Sequence, residues 1–168
     1  MTDISLKELA ERVAQLEDER AIRDLKARYL RACDLKDVDT VRDTLLPDGA
    51  RIEFEGFPLF EDREPFVQVY NEMGCAPGIF DIHHAANGVI ALTGADTAEG
   101  RWSLLYHNIN LTERTLTQLG VEYADRYVRQ DGRWWIAETR SWRNSMLVES
   151  FDETGARTIT VAGEAPEA

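Results

Sequence analysis

Cysteine is nearly absent from this 168-residue sequence: Cys33 and Cys75 are the only two. They make neither a disulfide framework nor a metal-ligand spacing, as expected of a reducing compartment. The opening Met1-Thr2-Asp3-Ile4-Ser5 has no basic-then-apolar leader, so the expected location is the cytoplasm. Long apolar runs are missing too. None approaches the roughly 20 residues a membrane-spanning helix needs, and no membrane association is expected. Basic residues are outnumbered, 19 Lys and Arg against 31 Asp and Glu for a net charge of −12, and they form no cluster. That balance argues against a nucleic acid or an anionic membrane surface as partner and serves solubility. The sequence holds no Gly-x-Ser-x-Gly elbow, no phosphate-binding loop, no dinucleotide glycine fingerprint and no His-x-Glu with Cys-x-x-Cys. The chemistries those motifs serve have no foothold here. Its three histidines follow no zinc spacing, and neither a metal nor another cofactor is expected.

What is present suffices for one domain. Hydrophobic residues make up 43%, enough for a core at this length. The expected boundaries are a single domain over 1–162, with an N-terminal helical extension over about 1–16, and a disordered tail over 163–168. Leu6, Leu9, Val13 and Leu16 recur at helical spacing behind Ser5, which with Glu8 forms a capping box. The stripe then changes register to Ile22, Leu25, Tyr29 and Ala32, so the helix either continues with a new face or bends near Glu17-Asp18-Glu19. Its early part reads as an oligomer contact or an arm over the domain. A further helix over Val38 to Leu46 stops at Pro47-Asp48-Gly49. Ile52 and Phe54 alternate with charged neighbours, as in a strand. Another short helix carries Phe66, Val69, Tyr70 and Met73, with Glu61 or Asp62 as its cap.

The remainder reads as a meander of long antiparallel strands: Ile79 to Thr93, Ala98 to Asn110, Leu116 to Arg129 and Arg133 to Met146. Asp131-Gly132 is the clearest hairpin turn. Helices first and strands afterwards is the α+β arrangement, with helices on one side of an antiparallel sheet. A curved sheet of this kind encloses a pocket, and large rings are available to line it: Phe54, Phe57, Phe60, Phe66, Tyr70, Phe80, Trp102, Tyr106, Tyr123, Tyr127 and Trp142. Taken singly each ring reads as core. Ionisable groups on the same parity, such as Asp125, make a small-molecule site the stronger reading of the set.

Two of the three histidines sit together at His83-His84. On a strand they point to opposite faces, so only one can enter a given pocket. A histidine held by a carboxylate would be a general base with fixed orientation; the plain alternative is that both satisfy hydrogen bonds. Tyr29 and Asp34 lie near a helix end, about 140° apart in direction on a regular helix, and would converge only if the helix loosens near Asp34. His107 has the opposite parity to Trp102, Leu104 and Tyr106. Arg140 and Arg143 could anchor a substrate carbonyl or carboxylate, or simply be solvated.

Several stretches together resemble the SnoaL-like branch of the nuclear-transport-factor-two-like superfamily: Leu16-Glu17-Asp18-Glu19-Arg20-Ala21-Ile22-Arg23-Asp24-Leu25, Tyr29-x4-Asp34, His83-His84 with Asn87, Gly100-Arg101-Trp102, Tyr123-x-Asp125-x-Tyr127 and Asp131-Gly132-Arg133-Trp134. The resemblance spans roughly residues 16 to 145. It implies a cone: an α+β fold whose curved antiparallel sheet and N-terminal helices enclose a deep pocket. It does not imply one reaction, since that family includes cyclases, isomerases, dehydratases, a dehydrochlorinase and non-catalytic binders. Asp34 and His83 resemble the Asp–His dyad of its lyases, and Tyr29 the tyrosine its dehydratases use beside the substrate. The implied function is a cofactor-independent dehydratase acting on a hydrophobic cyclic molecule, steroid- or polyketide-like. Tyr29, Asp34 and His83 are the implied catalytic residues, and Phe54, Trp102, His107, Tyr123, Asp125 and Arg143 are the expected substrate contacts. An isomerase or cyclase using the same base, an isomerase using Asp125, and a binding protein for an apolar ligand are the alternatives. A homo-oligomer, dimer or trimer, is expected.

Overall fold

Ser5 starts the first helix in the way its spacing to Glu8 predicts. Its hydroxyl accepts the Glu8 N–H at 3.2 Å while the Glu8 carboxylate accepts the Ser5 N–H at 2.8 Å, so two donors that a helix start leaves unpaired are both met. The computed structural model describes residues 4–163; the tail expected over 163–168 thus lies outside the described residues except for Gly163. Helix α1 runs from Leu6 to Leu35 without a break at Glu17-Asp18-Glu19, 30 residues in all, or about 45 Å at 1.5 Å per residue. Its first turns are exposed. From Ile22 onward its buried face, including Leu25, Tyr29 and Leu30, packs on the sheet. Lys36 ends it in the left-handed region at φ 60°, so the chain turns back at once.

Helix α2, Val38–Thr44, is capped by the Asp37 side chain. Strand β1, Arg51–Phe54, follows, and then α3, Arg63–Val69, whose cap is Asp62 rather than Glu61. The helix read through Met73 is α-helical only to Val69 and closes in a π-helical turn, Tyr70–Gly74. Four long strands complete most of the sheet: β2 Ile79–Leu92, β3 Thr97–Asn110, β4 Thr115–Gln130 and β5 Arg133–Phe151. They form the expected antiparallel meander, and the order across the sheet is β1-β5-β4-β3-β2, with β1 parallel to β5. Asp131 and Gly132 take φ 54° and 76°, both positive as a type I′ hairpin requires. The sequence reading stopped the last strand at Met146. In the structure β5 continues to Phe151 and a sixth strand, β6 Arg157–Ala162, pairs with its far end.

Curvature comes from interruptions in pairing. Register shifts fall between Gly120 and Val121, between Arg126 and Tyr127, and in β2 between Ala86 and Val89, and each such bulge bends the strand that carries it. The β2 bulge contains Gly88, where an added Cβ would come within 2.3 Å of the Trp102 ring, so only glycine lets that ring close the narrow end. The result is a curved, unclosed, mostly antiparallel six-stranded sheet with the helices laid across its concave side.

Candidate functional site

Inward-facing residues do not all reach open space. Near the narrow end of the sheet, Trp102, Asp125 and Tyr127 are buried in a packed cluster: the Tyr127 hydroxyl donates to Asp125 Oδ2 at 2.7 Å and accepts from Trp102 Nε1 at 3.1 Å. Lys26 of α1 completes it, its ammonium 2.8 Å from Asp125 Oδ2 and 3.9 Å from the centre of the Tyr123 ring. Burial pushes the Lys26 ammonium below its ordinary value, against the pull of Asp125. Nearer the wide end the same strand faces part, leaving a cavity of about 260 Å³. Its walls include Phe54, Phe57, Phe66, Tyr70, Tyr106 and Tyr123, with Tyr29 and His83 among the polar groups. Ring contacts at 5.7–5.9 Å join Phe54 to Phe66 and to Tyr123, so the aromatic wall is also packed structure.

His83 stands on the cavity wall of β2, and α1 brings Asp34 to it. One carboxylate oxygen, Oδ1, lies 2.7 Å from His83 Nδ1 and also accepts the His83 backbone N–H at 2.9 Å. An anion at a helix C-terminus is disfavoured by the helix dipole; here two donors from β2 hold it. The contact fixes the ring and commits Nδ1 to Asp34, which leaves Nε2 as the nitrogen able to take a proton. Asp34 itself is not on the cavity wall. Asp34 and Tyr29 do not converge, and the helix does not loosen at Asp34 as their convergence required. Tyr29 lines the cavity beside Cys33, and burial carries its hydroxyl pKa well above the ordinary range. Burial likewise pushes the Cys33 thiol up to about 12.

Asp81, which the spacing did not single out, and Tyr106, one of the candidate rings, complete this wall. Asp81, one inward position before His83, accepts from the Tyr106 hydroxyl at 2.6 Å, from Asn108 Nδ2 at 2.7 Å and from the ammonium of Lys36. Burial works to raise its carboxyl, but those three donors together hold it below the usual range. The Tyr106 ring lies 4.9 Å from that of His83, and burial and the Asp81 contact both raise its phenol. Strand parity was the available signal, since Asp81, His83 and, across the register, Asn108 and Tyr106 share one face.

The other named residues divide. Phe54, Tyr123 and Arg143 line the cavity; Arg143 donates to Glu55 at 2.6 Å through Nη2 and at 2.7 Å through its backbone N–H, bonds that hold the Glu55 carboxyl below its ordinary range. Trp102 and Asp125 do not line it, being sealed in the cluster at the narrow end. His107 faces the opposite side of the sheet, paired with Ile82, as its parity indicates. Phe80 and Tyr127 also drop out of the cavity, Phe80 because it is exposed. His84 is exposed. Arg140 meets Glu53 at 3.1 Å. Among the described residues no three His, Cys, Asp or Glu side chains gather closely enough to hold a metal ion, and no helix is long and apolar enough to cross a membrane.

A curved sheet closed by an N-terminal helix around an aromatic cavity defines the cone-shaped α+β class. Residues 14–140 match the SnoaL-like domain, and the chain belongs to that family. Solved structures agree on the fold. A hexachlorocyclohexane dehydrochlorinase, LinA type 3, from Novosphingobium barchaimii superposes with a TM-score of 0.71 at 19% identity over 92% of this chain and 99% of its own. A putative scytalone dehydratase from Novosphingobium aromaticivorans gives 0.72 at 18% over 90% and 94%. A nuclear-transport-factor-two-like protein with a cystatin-like fold from the same species gives 0.68 at 19% over 83% and 90%.

Proposed function

We propose that the protein is a cofactor-independent lyase, a dehydratase of compact hydrophobic ring compounds, acting in the cytoplasm. The observation that carries this reading is the 2.7 Å contact between Asp34 and a His83 ring on the cavity wall. Nε2 of His83 removes a proton from the carbon next to a substrate carbonyl or conjugated system. Asp34 holds the Nδ1–H and stabilises the imidazolium that forms. The carbon–oxygen bond at the neighbouring carbon then breaks, the proton returns from Nε2 to the departing hydroxyl, and water leaves with the enzyme unchanged. Tyr29, a phenol that is protonated at neutral pH and that burial pushes further from ionising, serves as a hydrogen-bond donor to the carbonyl. Tyr106, whose hydroxyl donates to Asp81, packs its ring beside the base.

Cavity size refines the substrate. About 260 Å³ falls just under the roughly 300–1,000 Å³ of pockets for drug-sized ligands, which favours one or two rings over a four-ring steroid. An isomerase with Asp125 as base is not supported, because Asp125 is buried against Lys26 and away from the cavity. An isomerase or cyclase using His83 differs only in the product, which keeps its oxygen.

The test is turnover of a panel of one- and two-ring β-hydroxy ketones, with products weighed for loss of water, by wild type and His83→Ala. The reading expects a loss of about 10²–10⁴ in rate, the usual contribution of a general base. A variant as active as wild type would sink it, and a product of unchanged mass would move it to isomerisation.

A further inference from the structure

About three turns of α1 carry an apolar stripe that nothing among the described residues covers. Leu6, Leu9, Val13 and Leu16 are 87%, 50%, 45% and 65% exposed. Their spacing is three, four, three, the a–d–a–d order of a two-heptad coiled coil. With Leu6 and Val13 at a, and Leu9 and Leu16 at d, the β-branched residue at a and leucine at d are the combination that favours two strands over three or four. The stripe ends where the next a and d positions become Arg20 and Arg23, and Arg23 is turned to the domain, donating to the Gly88 carbonyl at 3.0 Å.

We infer that the α1 arm pairs in parallel with the arm of a second copy of this chain. Three features of the helix favour that occupant. The residues flanking the seam are complementary in one orientation only: Arg12 at g lies opposite Glu17 at e of the partner subunit when the helices run parallel, and the symmetric pair forms on the other side. Antiparallel helices would instead set Arg12 against Arg12 of the partner subunit across the middle of the seam. Next, at about 100° per residue, the stripe points roughly 160° away from Ile22, Leu25, Lys26, Tyr29 and Cys33, the face that α1 buries on its own sheet. Two arms meeting along the stripe therefore carry their domains on opposite outer sides, clear of each other. Finally, the own-domain ties of the arm, from Asp18 to Arg129 at 2.6 Å and to Trp134 Nε1 at 2.9 Å, lie on that domain side and leave the seam untouched.

The test uses the full chain. Analytical ultracentrifugation of wild type and Leu9→Glu, at tens of micromolar, should show the variant at half the mass of wild type. Arg12→Glu should weaken association about tenfold, and Arg12→Glu combined with Glu17→Arg should restore it. Orientation is read by disulfide trapping in a Cys75→Ser background. Leu9→Cys alone should give a covalent dimer, because d meets d in a parallel pair. A covalent dimer formed only when Leu9→Cys is mixed with Val13→Cys would reveal an antiparallel pair and overturn the inference. So would a wild type that stays monomeric, or an oligomer that Leu9→Glu leaves intact, the mark of an arm folded elsewhere or of assembly through another surface.

Discussion

Lys26 and Asp34 lie about two turns apart on α1, and each meets an ionisable partner on the sheet at nearly the same distance, 2.8 Å to Asp125 and 2.7 Å to His83. Their surroundings differ. The Lys26 and Asp125 side chains are 1% and 0% exposed, those of Asp34 and His83 27% and 16%. A buried ion pair spends much of its attraction on desolvation, and its members are locked to each other. A pair at a cavity wall keeps one side open to a ligand and can exchange a proton with it. The same helix thus supplies one pair sealed in the packed cluster and one open at the cavity wall, and position on the sheet decides which is which.

Breaking the sealed pair should have the largest effect. Asp125→Ala leaves a buried ammonium and the Tyr127 hydroxyl without their acceptor, and should cost about 3–5 kcal/mol in urea unfolding; Lys26→Met with Asp125→Leu should regain most of it. If Asp125→Ala unfolds like wild type, the pair has no structural weight and the contrast fails. His83→Ala should reverse the pattern. Stability should fall by about 1 kcal/mol, one hydrogen bond, while turnover falls as proposed above. A variant that instead loses stability as badly as Asp125→Ala would make the second pair structural too.

The five tyrosines sharpen the comparison. Tyr29, Tyr70, Tyr106 and Tyr123 line the cavity and Tyr127 belongs to the sealed cluster, yet burial raises the pKa of every one. A pKa raised on folding gives stability that is complete below the unfolded value, near 10 for tyrosine, and is lost as pH climbs toward the folded value. Stability should therefore fall above about pH 10. Phenolate absorbance should rise together with loss of circular dichroism. Ionisation near pH 10 with the fold intact would show instead that the cavity phenols are wet. The smallest effect is expected next door to the base. His84→Ala, on the exposed face, should change stability by less than about 0.5 kcal/mol and leave turnover unchanged, and a larger loss would mean that the outer face matters too.

Much of this was legible in the sequence because turn chemistry and period are local. Asp131-Gly132 announces its hairpin, Ser5 and Glu8 announce a helix start, and alternation assigns His83 and His84 to opposite faces. The family pattern added the proposal that Asp34 belongs with His83, and the structure brings them into contact. Strand β6 escaped because Arg157 to Ala162 is an exposed edge with little inward burial to set a pattern. Trp102 and Asp125 were assigned to the cavity by parity, which tells the face but not the depth. On β3, Trp102, Leu104 and Tyr106 share a face, yet only the last two reach open space, because the sheet closes on Gly88 at one end. Lys26 carried no signal at all: a lysine on a helix reads as solvated until the curvature of the sheet brings Asp125 over it.

Where α1 ends, Asp34 and Lys36 grip His83 and Asp81, two residues spaced by two against two residues spaced by two. Two rivets fix a bar where one would let it swivel. The end of the helix can neither slide along β2 nor turn against it while both hold, so Nε2 of His83 keeps a constant address relative to the Tyr29 wall. Across the opening, Phe57 and Met73 are half or more exposed at the rim. The cavity therefore resembles a vise with one jaw bolted to the bench, the His83 side being the bolted one and the exposed rim the other.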